Sequence, residues 1–170
     1  NRPNIFVLST KEDVRKCRED MGLGEFKTAS GWVGNGGIYV VSKEIYNELM
    51  HPLNLNEQYL MLIKHELSHL FFQHVSQFHS RPDWLWEGCA IYLSGQNKYK
   101  KKSEKFNGFL KFYEKNIEWS VYQESGFVVQ LLVDEFGKKK LLNLIKRAKD
   151  FNSVEEFQKL FKEIYNIELS

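Results

Sequence analysis

The sequence predicts an α+β fold, with a small N-terminal sheet that carries one helix, followed by a mainly helical part. Two observations lead to this prediction. Apolar runs suited to strands are confined to the first third of the chain, on either side of a short charged stretch. From residue 54 onward, apolar residues recur at helical spacing. Strands and helices are thus segregated along the chain, as in α+β proteins.

The first 53 residues contain the strand signals. The apolar run Ile5–Leu8 predicts a strand, and the charged stretch Lys11–Met21 predicts a helix that stops at Gly22. The segment Ser30–Val41 has two β-rich pieces around Asn35-Gly36-Gly37. Asn-Gly sequences favour the positive φ angles of tight turns, so this segment predicts a hairpin.

Residues 54–170 are predicted to be helical because helix start and stop signals follow one another. Asn54, with Glu57 three residues later, predicts the cap of a helix that runs to about Gln73. Its buried stripe is expected to be Leu60, Ile63, Leu67 and Leu70. Further helices are predicted from Ser80-Arg81-Pro82-Asp83 to Gly95, from Ser120 to Gly137, from Lys138 to Lys149 and from Ser153 to Asn166.

Length and composition favour one domain over residues 1–170, with a sheet-rich part over 1–53 and a helical part over 54–170. Apolar residues make up 42% of the chain, enough for a packed core, and the formal charge is only +2. This charge argues against a nucleic-acid partner. The alternative, nucleic-acid binding through Lys98–Lys102, has a simpler explanation in a solvated surface loop over Gln96–Lys105.

Neither a membrane partner nor a disulfide framework is predicted. No run approaches the roughly 18 apolar residues of a membrane-spanning helix. Cys17 and Cys89 form no CxxC pair, although one bridge between them stays possible. The chain begins at Asn1 rather than Met, which leaves both a cytoplasmic and an exported location open. The sequence predicts no oligomeric state.

A metal-binding pattern lies on the predicted helix after Asn54: His65-Glu66-Leu67-Ser68-His69. Histidines four residues apart lie one helical turn apart on nearly the same face, so both imidazoles can reach one Zn²⁺ ion. Glu66 lies about 100° round the helix from His65, near enough to reach a reacting water without being a ligand. The pattern predicts a catalytic zinc site.

A catalytic zinc needs a third protein ligand, and two downstream residues are candidates. His74 lies about 180° from His65 on the helix and is excluded. His79, in a loop, could fold back toward the metal. Glu87 is the better candidate because it lies on a second helix near the small residues Gly88 and Ala90, which would let that helix approach the first.

The segment from His65 to Leu93 resembles the gluzincin metallopeptidases, in particular the peptidase MA-like families. In that group HExxH is followed by a helix with the pattern W-x-x-E-G-x-A, which matches Trp84–Ala90. The later segment Tyr122–Gly137 is similar to another segment of the group. The resemblance implies a zincin-like fold, a Zn²⁺ ion held by His65, His69 and Glu87, and Glu66 as the general base. The acidic residue found four positions after the third ligand in some members is absent, since position 91 is Ile.

Two further features bear on catalysis. Tyr122, in the first turn of a predicted helix, could donate its hydroxyl to the oxyanion of the attacked carbonyl, or it could be an ordinary half-buried tyrosine. Tyr92 and Tyr113 are weaker alternatives. The strand Gly37–Val41 precedes the metal helix, and related enzymes bind an extended substrate along an edge strand there.

We therefore expect zinc-dependent hydrolysis of peptide bonds in a peptide or protein substrate, with Glu66 as general base. The alternative is a catalytically silent zinc-containing domain that binds a protein partner. The presence of Glu66 argues against this alternative, since a scaffold needs only the ligands.

Overall fold

The computed structural model describes residues 2–24, 29–104, 106, 119–151 and 153–169, with the backbone alone at 119–121. A three-stranded sheet with a helix lies in the N-terminal part, and most of the remaining described residues are helical. The predicted α+β class is therefore confirmed. By its contacts the chain divides into two compact units, residues 1–70 and 71–170, and the boundary falls inside one continuous helix.

The sheet of the first unit contains β1 (Asn4–Leu8), β2 (Gly31–Gly34) and β3 (Gly37–Val41), in the order β1-β3-β2. β1 runs parallel to β3, and β2 runs antiparallel to it. The turn residues Asn35 and Gly36 have φ angles of 46° and 75°. Both are positive, as a tight two-residue hairpin requires, so the predicted hairpin is confirmed.

Three helices accompany this sheet, and each begins at a polar residue. Helix α1 (Lys11–Asp20) has a reciprocal cap between Thr10 and Asp13, and α2 (Lys43–Met50) is capped by the Ser42 hydroxyl. The sequence reading did not predict α2. Helix α3 (Leu55–Val75) follows Asn54, whose Oδ1 accepts the Glu57 N–H at 3.2 Å. In the predicted capping box the Glu57 side chain would accept the Asn54 N–H, but this N–H donates to the Gln58 side chain instead.

The core of the first unit lies around the sheet and includes Val14, Trp32, Ile38, Val40, Val41, Ile45, Tyr46 and Leu62. The predicted stripe on α3 is wrong at Leu60, which is 51% exposed, whereas Met61 and Leu62 are buried. Successive helix positions differ by about 100°, so a shift of one or two residues moves a side chain to another face. Ile63, Leu67 and Leu70 pack partly buried against this core, as predicted.

In its described residues, the second unit contains the C-terminal end of α3 and four further α-helices: α4 (Asp83–Ser94), α5 (Trp119–Phe136), α6 (Lys138–Lys146) and α7 (Val154–Tyr165). Gly95 caps the C-terminal end of α4, and Asn166 caps that of α7. Both capping residues adopt the left-handed conformation. Helix α7 starts as predicted, with the Ser153 hydroxyl accepting the Glu156 N–H at 3.2 Å. Short 3-10 helices span Gln96–Tyr99 and Ala148–Asp150.

The core of the second unit gathers residues from its helices: Phe72, Trp84, Leu85, Cys89, Val128, Val129, Leu132, Leu141, Leu144, Ile145, Ala148, Phe151, Phe157, Leu160, Phe161, Ile164 and Tyr165. Trp84 is fully buried there. A methyl group at Gly88 would lie 2.6 Å from the Ser125 carbonyl oxygen. Gly88 therefore faces α5, whereas the sequence analysis assigned its small size to the approach of α4 to the metal helix.

Among the described residues, no helix combines the length and the apolar character needed to span a bilayer.

Candidate metal centre

His65 and His69 lie one turn apart on α3, as the sequence spacing predicts. Their Nε2 atoms are 3.1 Å apart, and the two rings meet edge to face with their centroids 4.7 Å apart. Two nitrogen ligands about 2.05 Å from one tetrahedral zinc would be separated by about 3.3 Å. The imidazole pair thus has a separation that suits a shared metal ion, and equally an N–H···N hydrogen bond between neutral rings.

Glu87 supplies the third potential ligand from the middle of α4. One ligand atom from each of His65, His69 and Glu87 can be chosen so that all three lie within 4.8 Å of one another. Two imidazoles and one carboxylate are a donor set found in catalytic zinc sites, which keep a fourth position for water or substrate. The residues present therefore fit a zinc ion.

The environment of His69 favours the ligand form of its imidazole. His69 is buried, and burial, followed by the charge of His65, lowers the pKa of His69 to about 2 from an ordinary value of 6.5. The ring is therefore neutral at physiological pH. A neutral imidazole is the form that binds metal ions, so no proton has to leave His69 first.

Glu66 lies beside the ligand pair on α3 but is not one of the three clustered residues. It is 5% exposed. Its carboxylate packs against the first residue of β2, since a methyl group at Gly31 would lie 2.7 Å from Oε1 and 2.9 Å from Cδ. A real Cβ does not approach other atoms so closely, so only glycine at position 31 leaves Glu66 in this place.

The strand that Glu66 touches has an open edge among the described residues, because β2 is the last strand of the sheet. The Val41 N–H donates to the Ser30 carbonyl oxygen at 2.9 Å, and hydrogen-bonded pairs alternate along antiparallel strands. The N–H and C=O groups of Gly31 and Val33 therefore point away from β3. We call this row of main-chain groups the β2 edge.

The predicted substrate strand Gly37–Val41 is not at an edge. It is β3, the central strand, and its main-chain groups pair with β1 on one side and β2 on the other. The sequence indicated all three strands but contained no local signal that β1 pairs with β3. The strand beside Glu66 with free main-chain groups is β2.

The surroundings of Glu87 include a lysine that sequence reasoning placed in a solvated loop. Residues Gln96–Tyr99 form a 3-10 helix instead of a loop, and Lys100 just after it is half-buried. Lys98, Lys101 and Lys102 are exposed, as predicted. Burial lowers the pKa of Lys100, while the charge of Glu87 acts in the opposite direction. Burial raises the pKa of Asp83, the charge of Arg81 opposes this, and the charge of Glu87 adds to the increase. Glu87 thus lies within electrostatic reach of a cation and of another acid.

The side chain of Asn97 links the 3-10 helix that leads to Lys100 with α5. The Asn97 side-chain amide donates to the Gly126 carbonyl oxygen at 3.0 Å and to Gln130 Oε1 at 2.9 Å. Gly126 has no side chain to obstruct this approach, since a methyl group there would lie 2.4 Å from Asn97 Oδ1. No local sequence pattern indicates such a contact between residues 29 positions apart.

The other candidate residues have different surroundings. Tyr122 and Tyr92 are half-buried and pack against the core of the second unit, and Tyr113 lies outside the described residues. The Nδ1 atom of His79 is 3.1 Å from the Ser76 carbonyl oxygen, and His79 does not belong to the ligand cluster. His74 is exposed on α3.

The two cysteines are free thiols and are not members of the ligand cluster. Cys89 is buried in the second unit, where burial raises the pKa of its thiol well above the ordinary range. A thiol with a raised pKa is a poor metal ligand because the thiolate is the binding form. The possible bridge between Cys17 and Cys89 is not formed.

Comparisons of the chain with protein-family models, with curated proteins and with solved structures find no match.

Proposed function

We propose that this protein is a zinc-dependent peptidase that hydrolyses peptide bonds in a peptide or protein substrate. The observation that carries the proposal is the cluster of His65, His69 and Glu87, whose ligand atoms lie within 4.8 Å of one another. Glu66, the next residue after His65 on the same helix, is buried. The likeness of His65–Leu93 to the gluzincin pattern supports the same reaction and a zincin-like fold.

In this proposal His65 and His69 contribute imidazole nitrogens and Glu87 a carboxylate oxygen to the metal. When bound, a zinc ion supplies Lewis-acid polarisation of the scissile carbonyl and lowers the pKa of water. The neutral state of His69 and the 3.1 Å separation of the two Nε2 atoms favour this assignment.

Glu66 is proposed to hold and transfer the proton. Its carboxylate accepts a proton from the attacking water and later delivers it to the nitrogen of the leaving amine. Packing against Gly31 limits the positions open to the side chain, so the base is oriented before the substrate arrives. Tyr122 is the proposed donor to the oxyanion.

The β2 edge is the proposed binding site for the substrate main chain. An extended peptide can add to an open edge strand through main-chain hydrogen bonds, which hold it with little regard to its sequence. Gly31 belongs both to this edge and to the packing of Glu66, so a bound strand would pass close to the general base. This arrangement supports a peptide as the substrate class.

The test combines metal analysis with the peptidase rates of Glu66→Gln and of a control variant. Purified protein should contain one zinc per chain, and Glu66→Gln should keep zinc while its rate on a peptide library falls by about 10² to 10⁴. Glu135→Gln, the same change at an exposed position of α5, should behave as the wild type. A Glu66→Gln protein that cleaves at the wild-type rate would exclude the mechanism. A zinc-loaded wild type with no activity on any peptide would favour the catalytically silent zinc domain.

A further inference from the structure

The outer side of β1 has the properties of an unprotected edge strand. β1 is the first strand in the order β1-β3-β2, and no described strand pairs with its other side. Three apolar side chains of this strand are exposed: Ile5 at 48%, Phe6 at 40% and Val7 at 53%. Proteins usually protect such edges with lysine, proline or a bulge, and residues 4–8 contain no charge and no proline.

The main-chain groups on this edge can be identified from the sheet register. The Ser42 N–H donates to the Leu8 carbonyl oxygen at 2.8 Å, next to the pair Leu8↔Val41. Along a strand, successive residues turn their N–H and C=O groups to opposite sides. Leu8 and Phe6 therefore bond toward β3, and Ile5 and Val7 present their N–H and C=O groups outward. We call these outward groups the β1 edge.

We propose that the β1 edge binds the β1 edge of a second copy of this chain, antiparallel and with Phe6 facing Phe6 across a two-fold axis. In this register Ile5 of each copy lies opposite Val7 of the other. These are the residues whose N–H and C=O groups are turned outward, so each Ile5–Val7 pair forms two main-chain hydrogen bonds. The two sheets then join into one continuous sheet across the dimer.

Side-chain chemistry favours this partner over an unrelated peptide. The facing strand is as apolar and uncharged as β1 itself, so the exposed Ile5 and Val7 side chains meet apolar groups. The same register places Arg2 of one copy opposite Thr10 of the other. The Thr10 hydroxyl and N–H are bonded to the Asp13 carboxylate at 2.7 Å and 3.2 Å, so opposite charges meet at both ends of the interface.

The first test is the oligomeric state measured by sedimentation. The wild type should be a dimer at about 100 µM, and Val7→Lys should be a monomer because it places like charge on the shared edge. Leu53→Lys also introduces a lysine, but at a leucine that is 91% exposed outside the strands, so this variant should remain a dimer. A monomeric wild type, or a dimer that Val7→Lys leaves intact, would overturn the proposal. Circular dichroism checks folding, and Ile5→Lys replaces Val7→Lys if that variant is unfolded.

The second test fixes the register by cross-linking. Facing residues of a non-hydrogen-bonded antiparallel pair have Cα atoms about 4.5 Å apart, which is within the range that a disulfide spans. In a Cys17→Ser background, Phe6→Cys should form a covalent dimer under mild oxidation. Val7→Cys should form little, because Val7 faces Ile5 and not itself. Efficient cross-linking of Val7→Cys without that of Phe6→Cys would exclude the proposed register.

Discussion

The carboxylate of Glu66 lies against the Cα of Gly31, in the space that a side chain at position 31 would occupy. This contact joins the helix with the proposed metal ligands to the edge strand of the sheet. Glycine is needed here for space and not for an unusual backbone angle, since Gly31 is not among the positive-φ glycines. The position of the proposed general base therefore depends on a residue 35 positions earlier in the chain.

Gly31→Ala is expected to displace Glu66 without removing it. The new methyl group would contact Cγ, Cδ and Oε1 at 2.7 to 2.9 Å, so the whole side chain must move. A displacement of about 1 Å in a catalytic group can lower the rate about 10²-fold. Zinc content should not change, because the three atoms nearest the new methyl group all belong to Glu66 and none to a proposed ligand. Kinetics on a cleaved peptide, together with metal analysis, measure both quantities.

The matched control is Gly34→Ala in the same strand. There the new methyl group meets mainly Cε of Met21, the flexible end of a long side chain that can turn away. Activity should stay within a few-fold of the wild type. If the two variants lose activity equally, the loss comes from the strand in general and not from the contact with Glu66.

Gly88→Ala is expected to destabilise the second unit. Its methyl group would lie 2.6 Å from the Ser125 carbonyl oxygen and 2.8 Å from Val129 Cγ2, so α4 and α5 would be pushed apart. Overpacking of this kind costs about 1 to 3 kcal/mol, which exceeds the gain of about 1 kcal/mol from replacing glycine by alanine in a helix. Urea unfolding measures the change. Zinc affinity should fall as well, because the next residue before Gly88 is the proposed ligand Glu87.

The comparison variant is Gly126→Ala, whose methyl group meets side-chain atoms of Ile91 and Asn97 instead of a backbone oxygen. Side chains can rotate away, so the loss of unfolding free energy should be smaller than for Gly88→Ala. A Gly88→Ala protein as stable as the wild type would mean that α4 and α5 are not packed as closely as described.

Features set by neighbouring residues could be predicted from the sequence, and features set by distant contacts could not. The Asn35-Gly36 turn, the cap at Ser153 and the stop at Gly95 follow from the chemistry of a few consecutive residues. The histidine pair is equally local, since helix geometry alone places residues four apart on one face. These predictions needed no knowledge of the rest of the chain.

Two of the differences from the sequence analysis concern contacts between separated segments, and a third is a missed short helix. The parallel pairing of β1 with β3 makes Gly37–Val41 central, and nothing within that strand indicates it. Gly88 was correctly singled out as a small residue, but which helix it faces depends on α5, about 40 residues later. Helix α2 was missed although Ser42 is a standard N-cap, because the helix is only eight residues long.

The metal-free protein should lose stability as the pH falls below about 6.5, in part through His69. The pKa of His69 is about 2 in the folded chain, against an ordinary value of 6.5. Between these values the unfolded chain binds a proton that the folded chain does not, so the stabilising contribution is complete above pH 6.5 and declines toward pH 2. One such group changes the free energy of unfolding by up to about 1.4 kcal/mol per pH unit.

Urea unfolding of the chelator-treated protein at pH 7 and at lower pH measures this slope. His69→Gln should show a shallower slope than the wild type by about 1.4 kcal/mol per pH unit or less. His74→Gln, at an exposed position on the same helix, should keep the wild-type slope. Equal slopes in all three proteins would show that His69 is not held in its neutral form by the fold.

Tyr122→Phe tests whether this tyrosine donates to the oxyanion or only packs in the core. The substitution removes one hydroxyl and leaves the ring, which packs against the core of the second unit, so the free energy of unfolding should change by less than about 1 kcal/mol. A donor that acts only in the transition state lowers kcat and leaves KM almost unchanged, and losing one typically costs about 10² in kcat. Tyr92→Phe is the matched control, because Tyr92 is also half-buried against the same core. A large loss of kcat in Tyr122→Phe alone would support the catalytic role, whereas an unchanged kcat would assign Tyr122 to packing in the core of the second unit.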